Sequence, residues 1–102
     1  MWLNMTSATV APENAAKAVE ILNREESRQP FTAAPGFRFL FVVESTEHPG
    51  EMMSLSFWDT EEEGQAFYNS VEYRRVLGGV AEMLIARPER RNYNVRMENQ
   101  AA

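Results

Sequence analysis

Cysteine is absent from the 102-residue chain. That excludes disulfides, thiolate nucleophiles and Cys-ligated metal sites, and it fits a reducing compartment. Histidine is nearly absent: His48 stands alone, and one His cannot make a two-His metal site. Basic residues are scarce, ten Lys and Arg against fifteen Asp and Glu, so the net charge is −5. Nucleic acid and anionic membrane both require a basic patch, and neither is expected as a partner. Arg74 with Arg75, and Arg87 with Arg90 and Arg91, are the local basic clusters, and acidic neighbours dilute them. No apolar run approaches the roughly 20 residues of a transmembrane helix. The N-terminus lacks a basic segment followed by an apolar one, so no signal peptide is read. A Gly-rich phosphate loop, a nucleophile elbow and metal-ligand spacing are also missing. The expectation is a soluble cytoplasmic protein without metal or cofactor.

What is present is apolar. Such residues make up 44% of the chain, enough for one core. The length fits one domain, read as residues 1–98 with a loose tail at 99–102. A domain of this size buries a modest share of its surface, which favours self-association.

Trp2 to Val10 reads as a strand, rich in Thr, aromatic and apolar residues, that stops at Pro12. Pro12 suits a helix start and Glu13 suits the positive end of its dipole. Ala15, Ala18, Val19 and Leu22 then recur at helical spacing. Pro30 disfavours helix in the residue before it, so this helix is expected to fade near Ser27 to Gln29, and Pro30 to Gly36 reads as a loop. Phe37 to Ser45 is the strongest strand signal. The turn Thr46 to Gly50 makes the next strand, Glu51 to Trp58, its antiparallel partner. Thr60 with Glu63 matches a capping box. Ser70 caps a second segment, in which Tyr73, Val76, Leu77, Val80 and Leu84 keep helical spacing, weakened by Gly78 and Gly79 at about 1 kcal/mol each relative to Ala. Pro88 ends it, and Arg90 to Met97 reads as a last strand.

The order β-α-β-β-α-β defines an α+β, ferredoxin-like fold, with an antiparallel sheet and helices on one face. Alternation in the second strand sends Phe37, Phe39, Phe41 and Val43 one way and Leu40 and Val42 the other. Both faces are then apolar, although helices can cover only one. A second copy of the same sheet, related by a twofold axis, is the expected cover, giving a homodimer through sheet faces. A loop or the tail over that face is the alternative.

Three stretches carry a resemblance. "ATVAPENAAKAVEIL" is a first strand running into a helix after a Pro-Glu start. "PGFRFLFVVEST" is a Pro-Gly opening of the second strand. "LSFWDTEEEGQAFYNSVEY" is a strand ending in Trp, then a capped helix, an aromatic, and a Ser beginning the next segment. In this order the chain resembles the antibiotic biosynthesis monooxygenase-like domains of the dimeric α+β barrel group, from about Trp2 to Met97. The resemblance implies a dimer with a cavity between sheet and helices. It implies several activities: oxidation of planar aromatics by O2 without cofactor, haem degradation, action on small signalling molecules, or none. The haem-degrading pattern asks for a first-strand Asn, a second-helix Trp and a His about ten residues later. Aligned on Trp58 and Ser70, these positions fall at Thr6, Phe67 and about Leu77, with Asn4 on the same strand face as Thr6. Without that His there is no axial iron ligand, and haem degradation is rejected.

Cofactor-free oxidation asks less, because a deprotonated substrate supplies electrons to O2 itself. Trp58 and Phe67 are candidate apolar walls. Tyr68 and Tyr73 are candidate hydrogen-bond donors to substrate oxygen. Asn4 and Thr6 are candidates to hold a carbonyl or oxyanion, and Arg74 to stabilise an anion if it turns inward. Asn4 and Tyr73 are the catalytic candidates; Thr6, Trp58, Phe67, Tyr68 and Arg74 are the substrate-binding ones. Each has a plainer role: Trp58 and Phe67 as core, the tyrosines as its rim, Arg74 as a solvated helix face, and His48 as a solvated turn residue. Glu61 to Glu63 point in different directions from a first helical turn and serve its dipole.

Three functions remain open. A monooxygenase for a small aromatic or quinol-type substrate requires an open cavity reaching Trp58 and converging polar groups. A binding or accessory domain has the cavity with those groups bonded to protein. A purely structural dimer has no cavity.

Overall fold

The computed structural model describes residues 1–101; Ala102, the last residue of the expected tail, lies outside the described residues. Four strands form one sheet in the order β2-β3-β1-β4: β1 is Trp2–Thr9, β2 Phe37–Glu44, β3 Glu51–Trp58 and β4 Arg90–Asn94. All neighbours are antiparallel. The helices α1 (Ala15–Leu22), α2 (Glu25–Thr32), α3 (Glu61–Tyr68) and α4 (Val71–Gly78) fill the two crossovers. This is the ferredoxin-like α+β arrangement that the element order implies. No helix among the described residues is long and apolar enough to cross a membrane.

Local chemistry sets most boundaries. Thr60 caps α3 by accepting from the Glu63 backbone N–H at 3.2 Å and donating to its Oε1 at 3.0 Å, which is the expected capping box. Ser70 caps α4 by accepting from the Tyr73 N–H at 3.2 Å. The β2–β3 turn closes on Gly50, whose φ of +90° is open to Gly at little cost.

Four expectations need correction. The first helix does not fade before Pro30. It breaks at Asn23 and Arg24 and restarts as α2, which runs through Pro30. Proline removes one intrahelical hydrogen bond there; burial of Ser27 and Phe31 on either side of it holds the helix. The second crossover ends its α-helix at Gly78; only a 3₁₀ turn, Ala81–Met83, follows, and Leu84 makes an isolated antiparallel bridge with Val10. In β2, Phe37 pairs with Trp58 and Phe39 with Phe57, so Arg38 is an extra residue. That bulge turns Phe37 to the helix side, where it packs edge-on to Trp58. β4 is also shorter than expected and ends at Asn94.

The helix-covered face carries two core clusters. Trp2, Phe31, Trp58, Phe67, Tyr68 and Val76 form the first. Val10, Ala15, Ala18 and Met52 form the second. The other face is uncovered: Phe39, Phe41, Val43 and Tyr93 are 47%, 55%, 45% and 45% exposed. Phe39, Phe41 and Phe57 touch one another there, with ring centroids 6.1–6.4 Å apart.

Candidate functional site: the cavity between sheet and helices

Strand pleating decides which β1 side chains meet the helices. Trp2, Asn4 and Thr6 alternate inward and are buried; Leu3 and Met5 between them face the other way. Opposite them, β3 presents Ser56 and Trp58. At the far side of β1, β4 presents Arg90 beside Thr6 and Asn92 beside Asn4.

These polar groups form two chains of hydrogen bonds. In one, the Thr6 hydroxyl donates to Asn4 Oδ1 at 2.7 Å, and Asn4 Nδ2 donates to Asn92 Oδ1 at 2.9 Å. In the other, Trp58 Nε1 donates to Ser56 Oγ at 2.9 Å, and the Ser56 and Tyr68 hydroxyls are hydrogen-bonded at 2.6 Å. Buried polar atoms need such partners, and no buried side-chain N or O among the described residues lacks one.

Tyr73 packs beside both chains. Its ring lies 4.6 Å from that of Tyr68, and its hydroxyl is set against Thr6. Burial pushes both phenols above the ordinary tyrosine range. For Tyr68 the Ser56 hydrogen bond and Arg90 oppose burial, while Tyr73 adds to it. For Tyr73, Arg90 and then Thr6 oppose it. Both phenols therefore stay protonated at neutral pH and act as donors, not bases. The Arg90 guanidinium lies 5.4 Å from the Tyr68 ring centroid and 6.0 Å from that of Tyr73, a cation–π arrangement over both.

A partly open cavity of about 80 Å³ lies beside this network, between the sheet and the helices. Thr6, Ser27, Ser54 and Tyr73 supply its polar wall. Phe31 and aliphatic residues, among them Ala18, Val80, Leu84 and Met52, supply the rest, and no charged side chain lines it. Leu77, where the haem pattern asks for an iron ligand, is one of the aliphatic walls. Among the described residues no three His, Asp or Glu side chains gather to hold a metal.

Of the sequence candidates, Thr6 and Tyr73 meet at the cavity. Asn4 lies behind Thr6, 1% exposed. Tyr68 lies behind Tyr73 and bonds to Ser56. Trp58 and Phe67 do not line the cavity: Trp58 is 0% exposed, and it packs, tilted, at 5.1 Å from Phe67 inside the aromatic core. The cavity therefore does not reach Trp58. Arg74 is exposed on α4, and His48 is exposed in the β2–β3 turn. The cation at the tyrosines is Arg90, which the sequence reading left as part of a diluted basic cluster. Ser56 and Asn92 were missed too. The signal for all three was strand alternation, since each is opposite or beside an inward residue of β1.

The family model described as antibiotic biosynthesis monooxygenase matches residues 1–78. Solved structures share the fold. Proteins from Bordetella bronchiseptica and Deinococcus radiodurans, each named a putative antibiotic biosynthesis monooxygenase, superpose with TM-scores of 0.82 and 0.79. Their identities are 18% and 14%; the matches cover 94% and 100% of this chain and 97% and 99% of theirs. A conserved protein from Methanosarcina mazei gives a TM-score of 0.77 at 15% identity, over 94% of each chain. No curated protein sequence matches the chain.

Proposed function

The chain belongs to the antibiotic biosynthesis monooxygenase family, and from that premise we propose that it is a cofactor-independent monooxygenase for a small aromatic or quinol-type substrate. The observation that carries this reading is the apolar cavity whose polar wall is a protonated Tyr73 set against Thr6.

The residues divide the work. The lining holds no carboxylate and no His, so the substrate loses its proton by its own acidity to solvent. Tyr73 donates a hydrogen bond to the resulting oxyanion, and Arg90 adds positive charge at the same rings. Asn4 is a positioning residue: it takes the Thr6 proton and so fixes the Thr6 hydroxyl at the wall, leaving the single Tyr73 O–H for the oxyanion. The electron-rich carbon of the anion then reduces O2, and a C–O bond forms. Loss of water from the hydroperoxide leaves a carbonyl, so a CH2 group, or the CH2 that a quinol ring C–H becomes in the keto form, and O2 become C=O and H2O. The cavity is smaller than the roughly 150 Å³ space that accepts benzene in an engineered protein core. A ring therefore sits at the open side, against Tyr73.

The exposed Phe39–Phe41–Phe57 face supports a second part of the proposal, a homodimer formed through the sheets. An apolar aromatic patch of this kind favours a self-complementary twofold contact.

Oxygen uptake with hydroquinones and anthrone-type CH2 ketones tests the enzyme reading. We expect turnover with at least one, and a loss of roughly 10²-fold in kcat/KM for Tyr73→Phe, the scale for removing one oxyanion donor. A second reading, a binding domain without chemistry, is favoured by one specific observation: Asn4, Thr6 and Tyr68 are all bonded to protein. Ligand binding without oxygen uptake across the series would establish that reading and end the first.

A further inference from the structure

We propose that the aliphatic end of the cavity is a binding site for dioxygen. The choice of dioxygen over another small apolar gas rests on the monooxygenase reading; the gas site itself does not.

Size comes first. One water needs about 10–15 Å³ of such space, and an engineered core cavity that takes benzene offers about 150 Å³. At about 80 Å³ the cavity is about half that size and ample for a diatomic molecule.

Polarity comes second. Thr6 on β1 and Val10 just after its end both line the cavity, four extended residues and so about 13 Å apart. Ser54 pairs with Thr6 across the sheet and Tyr73 is set against Thr6, so these hydroxyls share one end. Val10, Ala18, Met52 and Leu84 pack together at the other, and none of these side chains carries an N or O atom. Ser27 also lines the cavity, but its hydroxyl donates to the Ile21 carbonyl at 2.8 Å. A buried water needs two to four hydrogen-bond partners, and the aliphatic end has none to give. A space of that kind stays dry and takes an apolar guest, as the engineered cavity takes xenon. Dioxygen is uncharged and apolar, and it gains by leaving water for such a space.

Position comes third. The dry end is continuous with the wall where Tyr73 meets Thr6. A gas molecule held there reaches the anion at Tyr73 without crossing bulk water.

The test reads methyl resonances of the unsubstituted protein under O2 and under N2. Paramagnetic broadening is expected at the methyls of Val10, Ala18, Val80 and Leu84. It should exceed that at Ala15, which is equally buried but not on the cavity wall, by several-fold. Ala18→Leu fills the space; it should abolish the excess at Val80 and Leu84, and raise the KM for O2 several-fold more than the KM for a quinol. Equal broadening at Ala15 and at the cavity methyls overturns the proposal, even if quinols are oxidised. Selective broadening without oxygen uptake for any substrate leaves the gas site standing and removes the monooxygenase reading instead.

Discussion

The two ends of the helix-covered core are built differently. At one end Trp58 touches Phe37, Phe67 and Tyr68 with centroids 5.1–6.3 Å apart, and its indole N–H is tied to Ser56. At the other end Val10, Ala18, Met52 and Leu84 border an open space of about 80 Å³, which reaches Phe31 and Val76 at the edge of the first cluster. Large planar side chains with polar tips lock each other in place once every tip is bonded. Small and flexible aliphatic ones do not, and methionine in particular fills space adaptably. The aromatics thus build the scaffold, and the plain residues leave the room in which a ligand fits.

Truncation at the closed end should give the largest effect. Trp58→Ala is expected to destabilise by roughly 3–5 kcal/mol, the range for a buried aromatic. Leu84→Ala borders empty space and has fewer contacts to lose, so about 2 kcal/mol or less is expected, the low end for leucine. Urea midpoints of the two variants check this. Equal losses would break the contrast.

The next pair of changes leaves the volume of the closed end nearly intact. Ser56→Ala strands the Trp58 N–H and the Tyr68 O–H in a buried place, which costs roughly 1–3 kcal/mol. Gly64→Ala should cost a similar amount by overpacking. A methyl there would collide with Trp2 Cε3 and Cζ3 and lie 3.1 Å from Trp58 Cγ. Both are read as a lower unfolding midpoint, and Ser56→Ala should also shift Trp58 fluorescence.

The sequence carried the fold further than the site. Strand periodicity, the Thr60 and Ser70 caps and the turn at Gly50 are local signals, and each gave its element. Pro30 misled because buried Phe31 outweighs a local preference, and Phe37 misled because a bulge leaves no mark on alternation. The site was harder for a related reason. Thr6 and Tyr73 could be picked as polar residues on apolar elements. Arg90 and Asn92 reach the network only through the β1–β4 register, which joins residues more than 80 positions apart. Trp58 was drawn to the site by its size, although size is what makes it useful to the core.

Alkaline pH gives a smaller probe of the same boundary. Tyr68 and Tyr73 have raised pKa values because burial disfavours their phenolates. Unfolded tyrosine titrates near 10. The stability linked to these groups is therefore complete below pH 10 and is lost as pH rises above it. Unfolding midpoints from pH 9 to 11 should fall with pH, and fall less steeply for Tyr68→Phe. A slope unchanged by that substitution would mean that the phenol is not held in the closed end as described.

The smallest expected effect has the opposite sign. Gly78 ends α4, and a methyl there would meet nothing within 4 Å. Its φ is not positive, so Ala fits the backbone without strain. The helix preference of Ala over Gly then acts alone, up to about 1 kcal/mol in a helix interior and less at an end. Gly78→Ala should raise the thermal midpoint slightly, whereas the same substitution at Gly64 lowers it. The comparison turns on surroundings alone, because the two changes are chemically identical. A loss at Gly78 comparable to that at Gly64 would show that the end of α4 is packed against something in solution, and a second copy of the chain would then be the first candidate to examine by mass at several concentrations.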